Sequence, residues 1–289
     1  MAGPGRRRPR VVCVGSLNHD IAVWVPRRLG PDETLIGTRL AEFRGGKGAN
    51  QIVAAARAGA DAAMVGAVGA DGRGEGLVAG LGADGVDHRY VVRLEGVPTG
   101  VAIPIVTADG DVSVIVIPGA NAALTPAMVE AAASVITGSD VLLLQGEVPA
   151  DAAARAAHLA RDAGVRVVVN PAPVNEVAEA VVPLADVVIV NRDEAARIGS
   201  VPAERLVTTL GADGVDVAGT RVPAFRVPVV DPTGAGDAFC GAMAVALAEG
   251  RDLAEAARVG AAAGACAVQV AGAEPSMPHR AAIDALLAG

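Results

Sequence analysis

Asp231-Pro-Thr-Gly-Ala-Gly-Asp237, followed without a break by Ala238-Phe-Cys-Gly-Ala-Met-Ala-Val-Ala-Leu-Ala248, is the stretch from which the fold is read. Three small residues, Gly234, Ala235 and Gly236, lie between two carboxylates, and an apolar, helix-like run follows at once. Small residues at a helix start leave the first backbone N–H groups open. Those groups, with the positive end of the helix dipole, form a site for an anion. Asp237 falls in the first turn, where a phosphate would rest. An acid set against the anion it would repel fits a catalytic base facing a transferring phosphoryl group. The same residues also fit an ordinary loop-to-helix turn with a favourable N-terminal acid, so the rest of the chain has to choose.

Composition narrows the choice. A chain of 289 residues allows one large domain or two modest ones. Apolar residues make up 52% and charged residues 19%, which favours a sizeable core over disorder. Aromatics are 2%, so the core must be Ala, Val, Leu and Ile, and a base-stacking surface is not expected. The net charge of −8 argues against nucleic acid or an anionic membrane as partner. Cys13, Cys240 and Cys266 are odd in number, far apart and inside apolar runs, so they are read as reduced core residues rather than disulfides or zinc ligands. The cluster Arg6-Arg7-Arg8-Pro9-Arg10 precedes a short strand-like run, not a signal core. Residues 1–10 are expected to be a disordered basic tail, residues 11–289 one domain, and the protein cytoplasmic.

Working outward from the opening stretch, buried strands are predicted at 11–14, 62–68, 141–144, 165–169, 187–190 and 206–210. Helices are predicted up to Leu81, from Thr125-Pro126 to about Ile136, and over 151–163, 253–270 and 281–287. This alternation means a largely parallel sheet with helices on both faces. Polar residues follow each strand, so they gather along one sheet edge. Strands at 21–25, 34–43, 101–107 and 112–117, the last two divided by Asp109-Gly110-Asp111, break the rhythm and form a candidate small sheet inserted at about 20–43 and 98–118. Gly260 and Gly264 in an Ala-rich run are read as places of close helix approach.

Arg44-Gly-Gly-Lys-Gly-Ala-Asn50 looks like a phosphate loop, but Gly48 stands where the Walker pattern needs Ser or Thr. It is read instead as a second Gly-rich helix start, with Lys47 and Asn50 reaching a polar ligand. The first strand is followed by Val14-Gly-Ser-Leu-Asn18, so a dinucleotide-binding oxidoreductase is disfavoured.

Taken together, Phe43-Arg-Gly-Gly-Lys-Gly-Ala-Asn-Gln51 and Asp231-Pro-Thr-Gly-Ala-Gly-Asp-Ala-Phe239 resemble the two signatures of the ribokinase family of PfkB-type sugar kinases. The resemblance runs from about Val11 to Ala288 and includes Gly15-Ser-Leu-Asn-His-Asp20, Pro98-Thr-Gly-Val101, Gly119 to Pro126, Asn170-Pro-Ala-Pro173 and Gly272 to Pro278. It implies a three-layer α/β/α fold with a β-sheet lid over the sugar, and a homodimer through the lid.

Roles implied by the resemblance follow by position. Asp237 would be the base that takes a proton from the sugar's primary hydroxyl. N–H groups of the Gly234-Ala235-Gly236-Asp237 turn would form the anion hole for the γ-phosphate. Asn18, Asp20, Gly46, Lys47, Asn50 and Glu147 would contact the sugar. Asn191 and the loop Thr209, Leu210, Gly211, Ala212, Asp213 and Gly214 would serve the nucleotide. Glu194, in Asn191-Arg-Asp-Glu194, would act on Mg2+ through water. Asp231, Thr233, Ala267, Val270, Gly272 and Ser276 would form a monovalent-cation site, usually for K+. One departure stands out: only about a dozen residues separate the strands at 187–190 and 206–210, near the minimum for a parallel crossover. A helix usual in the family is absent there, so one sheet face beside the nucleotide is expected to be thinly covered.

The function expected is therefore ATP-dependent phosphorylation of a pentose, D-ribose first, at its primary hydroxyl. The alternatives are a kinase of fructose, a deoxy sugar acid or a nucleoside, and a non-catalytic sensor on the same fold. A nucleoside kinase would be expected to present aromatic residues near the base, and a degenerate one to lack Asp237 or Gly236.

Overall fold

The computed structural model describes Arg7 to Gly289. β1 (Arg10–Val14) lies within the main sheet, and beyond it the chain leaves the sheet as β2 (Asn18–Val25) and β3 (Arg39–Gly45). It returns through α1 (Lys47–Arg57), β4 (Asp61–Gly69), α2 (Gly72–Ala83) and β5 (Asp87–Leu94). β6 (Gly100–Thr107) and β7 (Val112–Ile117) rejoin β2. Next come α3 (Pro126–Ala131), α4 (Ala133–Thr137), β8 (Val141–Gln145), α5 (Ala150–Asp162), β9 (Arg166–Asn170), α6 (Glu176–Val181) and β10 (Val187–Asn191). α7 (Arg192–Ala195) is a single turn before β11 (Leu206–Thr209), and β12 (Val215–Val217) with β13 (Thr220–Val222) forms an edge hairpin. The chain closes with α8 (Ala235–Ala248), α9 (Leu253–Ala267), α10 (Ala273–Ser276) and α11 (Arg280–Ala288).

The main sheet has the order β13-β12-β11-β10-β9-β8-β1-β4-β5, parallel from β11 to β5 and antiparallel only across the edge hairpin. Its central strands are unbroken runs of branched apolar residues, buried on both faces as a helix-covered parallel sheet requires. One core cluster joins Val11, Cys13 and Leu143 to α1, α8 and α9; the other joins Val12, Val14 and Leu144 to α3, α5 and α6. These are the three expected layers. The strand order reverses at β1, so a crevice opens beyond the C-terminal end of that strand.

α8 is buried from Asp237 to Leu247 because it is apolar on every side. It lies between the sheet, α1 and α9. A Cβ on Gly260 would stand 2.9 Å from Phe239, and one on Gly264 3.2 Å from the Ala235 carbonyl, so these glycines do permit close helix approach. The small sheet, ordered β3-β2-β6-β7, is built from the two insertions expected at 20–43 and 98–118.

Several expectations are corrected. Arg7 to Arg10 are not tail: the Arg7 guanidinium pairs with Asp140, the Arg10 N–H donates to the same carboxylate at 2.8 Å, and the Pro9 carbonyl accepts from Asp61 N–H at 2.8 Å. Residues 1–6 lie outside the described residues. The strand expected at 34–43 begins at Arg39 and runs on to Gly45, because its pairing with β2 continues to Asn18 and draws the Gly-rich signature into the base of the lid. The helix expected at 125–136 divides at Ala132, and that at 253–270 stops at Ala267. Thin cover between β10 and β11 is not found: Ile198 and Val201 of the connecting loop pack on the second core, and Val188 and Val190 stay fully buried. Cys13 and Cys240 are buried and Cys266 half-buried, all as free thiols. Among the described residues no helix is long and apolar enough to cross a membrane.

Candidate active site

Two glycine-led helix starts meet at the crevice. Gly46, the N-cap of α1, has φ 92°, and a Cβ there would stand 2.6 Å from the Asn18 nitrogen. Only glycine lets α1 begin flush against the β1–β2 turn. Gly234, the N-cap of α8, is left-handed at φ 82° and abuts Met277 and Ala273. The first N–H groups of a helix have no partner within it. That of Ala235 reaches the Pro232 carbonyl at 3.3 Å, which leaves the Gly236 and Asp237 N–H groups as the better anion donors. Space around Gly236 is open.

Asp237 is 7% exposed, and both its oxygens are held by amides of α1. Asn50 Nδ2 donates to Oδ2 at 2.9 Å, and Gln51 Nε2 donates to Oδ1 at 3.0 Å. Gln51 is fully buried; its carbonyl accepts from Gln145 Nε2 at 2.7 Å, and its Nε2 also reaches Asn170 Oδ1 at 3.2 Å. Gln145 Nε2 in turn reaches Cys13 Sγ at 3.5 Å, and burial, with the nearby Asp237 charge adding to it, pushes the Cys13 thiol up to about 12.

On the lid side of Asp237 lie groups suited to hydroxyls. Asp20 Oδ1 and Asn50 Oδ1 are buried and have no hydrogen-bond partner in the protein. Unpaired buried acceptors are costly and call for donors from a ligand. Asn18 is 2% exposed, with its carbonyl taken by Asn121 Nδ2 at 2.8 Å. Glu147 accepts from Ser16 Oγ and, at 3.3 Å, from the Lys47 N–H. Burial opposes the Lys47 charge, but Asp237, Glu147 and Glu194 outweigh it and hold the ammonium above its ordinary value.

Asp20 is pushed up to about 7, first by burial, then by the charges of Glu147, Asp237 and Glu274, with Lys47 pulling the other way. An unfolded Asp titrates near ~4. Between those two values the folded state holds a proton that the unfolded state has lost, so stability falls as pH rises through that window and is level above it. Asp20→Asn should therefore melt higher than the parent above about pH 7, with the gap closing towards about pH 4. Thermal scans across that range test this; a gap independent of pH would contradict it.

The other side of Asp237 opens into a cavity of about 150 Å³ lined by Lys47, Asn191, Glu194, Thr209, Gly234, Gly236 and Asp237. Lys47 thus stands between the hydroxyl-binding groups and this cavity. Asn191 and Glu194 form a reciprocal cap on α7: Asn191 Oδ1 accepts from the Glu194 N–H at 2.8 Å, and Glu194 Oε2 from the Asn191 N–H at 2.9 Å. Glu194 and Asp237 are the two acids lining the cavity, too few to cage a metal by themselves, which suits a cation that keeps its waters and sits mainly on phosphate oxygens, as Mg2+ does. Leu210 to Gly214 do not line the cavity. They form a turn at its edge, with the Leu210 N–H on the Gly214 carbonyl at 2.8 Å and the Asp213 carboxylate 3.1 Å from Arg192.

The remaining predicted site residues form the support behind α8. Asp231 Oδ1 accepts from Thr233 N–H and Oδ2 from Gly272 N–H, both at 2.9 Å, so this carboxylate staples the two loops together. The Ala267 carbonyl takes the Val270 N–H at 3.0 Å, and Ser276 Oγ donates to the Ala273 carbonyl at 2.7 Å. Both Asp231 oxygens and the Ala267 carbonyl thus each hold an N–H of the protein, and Ser276 turns its hydroxyl inward on α10.

Sequence reasoning missed the residues that brace these groups: Ser16, Gln51, Asn121, Gln145, Arg44 and Glu274. Glu274 is 3% exposed and carries Arg44 Nε at 2.7 and 2.8 Å, while Arg57 Nη1 holds the carbonyls of Glu274 and Met277 at 3.0 and 2.9 Å. Their partners lie far away in sequence, and only the Gly-rich setting of Gln51 and Arg44 gave any signal.

Residues 8–280 match the pfkB family of carbohydrate kinases. The chain belongs to that family, and is by membership an ATP-dependent sugar kinase. It is 36% identical to the ribokinase of Bacillus subtilis over 96% of this chain and 99% of that one. It is 34% identical to the ribokinase of Haemophilus influenzae over 94% and 96%. A structure of Arabidopsis thaliana ribokinase complexed with ribose and ATP superposes with a TM-score of 0.84 at 31% identity, covering 97% of this chain and 99% of that one.

Proposed function

We propose that the chain transfers the γ-phosphoryl group of ATP to the primary hydroxyl of D-ribose, giving ADP and ribose 5-phosphate. The observation that carries this is the position of Asp237. It is a buried carboxylate fixed at the N-terminus of α8, with unpaired acceptors of Asp20 and Asn50 on one side and the cavity of Asn191, Glu194 and Gly236 on the other. The full-length likeness to ribokinases, one of them solved with ribose and ATP, supports ribose as the acceptor.

In this reading Asp20, Asn50, Asn18 and Glu147 hold the sugar's secondary hydroxyls and turn O5 towards Asp237. An Asp237 oxygen takes the O5 proton as O5 attacks Pγ; the bond from Pγ to the β,γ-bridging oxygen breaks, and ADP leaves with that electron pair. The N–H groups of Gly236 and Asp237, with Lys47, face the charge on the transferring group, which is where phosphoryl transfer needs stabilisation. Mg2+ bound with ATP would neutralise phosphate charge, with Glu194 ordering its water. Asn191, Thr209 and the turn Leu210 to Gly214 would border the nucleotide. A K+ ion held at Asp231 and the neighbouring carbonyls would brace the loop that carries Gly234, which the Asp231–Gly272 bond supports. The test is ADP release over a panel of sugars and nucleosides, with and without Mg2+ and K+. Ribose should be the best acceptor; turnover confined to a nucleoside, or none at all, would contradict the reading.

The lid is also proposed as the contact of a homodimer. β7 is an edge strand, and Val112, Val114, Ile115, Val116 and Ile117 on it are 42–53% exposed, on both faces. Such an edge invites pairing. Sedimentation should give a dimer that Ile115→Lys converts to monomer; a monomeric parent at micromolar concentration would contradict it.

A further inference from the structure

We infer that Gln51 is a positioning residue for the phosphoryl transfer, fixing the Asp237 carboxylate through a buried chain of amides. The inference rests on the proposed role of Asp237 as base. A carboxylate can only accept hydrogen bonds, so the amide face turned to it must be the –NH2 end. That fixes the orientation of Gln51: Nε2 on Asp237 Oδ1 at 3.0 Å, and Oε1 on the Gln145 donor at 2.7 Å. Gln51 Nε2 is further tied to Asn170 Oδ1, and Asn170 Nδ2 donates to the Ile189 carbonyl at 2.9 Å. The base is thereby referenced to β8, β9 and β10 at once, through a side chain with no exposed surface.

Asn50 and Gln51 divide the task. Asn50 keeps its Oδ1 buried and unpaired, so a bound sugar can draw on it. Gln51 has all its partners within the protein and nothing to offer a substrate. It therefore acts on the Asp237 carboxylate through Oδ1, leaving ribose contacts untouched. A small misplacement of a reacting group costs about 10²-fold in rate. A Cβ on Gly241 of α8 would collide with the main-chain carbonyl of Gln51, so α1 and α8 pack directly against each other at this residue.

The titratable groups around the pair are Lys47 on α1, Cys13 on β1, Cys240 on α8, Asp20 on β2, Glu147 beyond β8 and Glu194 on α7. None is altered by substituting Gln51. At saturating ribose, Asp20 is covered by substrate, so the acid limb of the kcat profile reports the base.

The test compares Gln51→Met and Gln51→Glu with the parent in steady-state kinetics across pH. Gln51→Met should lower kcat about 10- to 100-fold and change KM for ribose less than about threefold. Gln51→Glu should move the acid limb of kcat upward by about one pH unit, because two acids would share a site. An unchanged kcat and acid limb in folded variants would overturn the inference. If neither variant folds, Gln145→Met, which removes the donor to Gln51 Oε1 together with the contact to Cys13 Sγ, should lower kcat while changing KM for ribose little; an unchanged kcat would overturn the inference. An inactive parent, by contrast, would refute the proposed function rather than the role of Gln51.

Discussion

Asp237→Asn should lower kcat by about 10²–10⁴-fold, the usual worth of a positioned general base, with the fold retained. The substitution keeps the shape of the side chain and removes its capacity to take a proton. α8 is buried along almost its whole length by apolar contacts, so one polar change at its first turn does not unseat it. KM for ribose should move much less than kcat, because Asp20, Asn50 and Glu147 are left in place. A loss confined to KM would mean that Asp237 only binds sugar. A loss of less than about tenfold in kcat would mean that the proton leaves by another route.

Arg44→Met should cost about 1–3 kcal/mol of stability: the buried Glu274 loses its charged partner, while the Arg44 guanidinium is 44% exposed, so solvent screens part of the pair. The Glu274 side chain is 4% exposed and would keep only Arg57, whose Nη2 stands 4.0 Å away. Arg44 lies on the lid strand β3, Glu274 on α10, and α10 supports the Gly234 cap through Met277 and Ala273. The ion pair therefore ties the base of the lid to the loop that leads into the anion-binding turn. Urea titration should show a lower midpoint with an unchanged slope, and Arg44→Met combined with Glu274→Gln should recover most of the loss. A single-variant cost below about 1 kcal/mol would show that Arg57 or solvent compensates the carboxylate.

The layers, the central sheet and the lid were legible because their signals are local. Runs such as Val11–Val14 and Val167–Val169 declare buried strands, and each Gly-rich stretch declares a helix start by its own composition. The hairpin at 215–222 was not legible. Its turn is Ala218-Gly219, with φ of 51° and 83°, where an Asn-Gly pair would have announced the geometry. Nor was the anchoring of Arg7 and Arg10, since it depends on Asp140, which only the pairing of β1 with β8 brings alongside. At the site, Asp237, Asp20, Asn50 and Lys47 could be picked out as polar residues at strand ends and helix starts. Gln51 and Gln145 could not be: nothing in a sequence distinguishes a buried amide that orients a carboxylate from one on the surface. The cover supplied by Ile198 and Val201 was likewise hidden, because a loop can shield a sheet without any periodic pattern.

The most direct measurement is the identity of the product. Protein incubated with ATP, Mg2+ and ribose should yield ADP and a sugar phosphate in equal amounts. Phosphorus-coupled NMR should place the phosphate on O5 in the parent, with Asp237→Asn forming the same product at least about 100-fold more slowly. Phosphate on O1, ADP without a sugar phosphate, or Asp237→Asn forming product at the parent's rate would contradict the account.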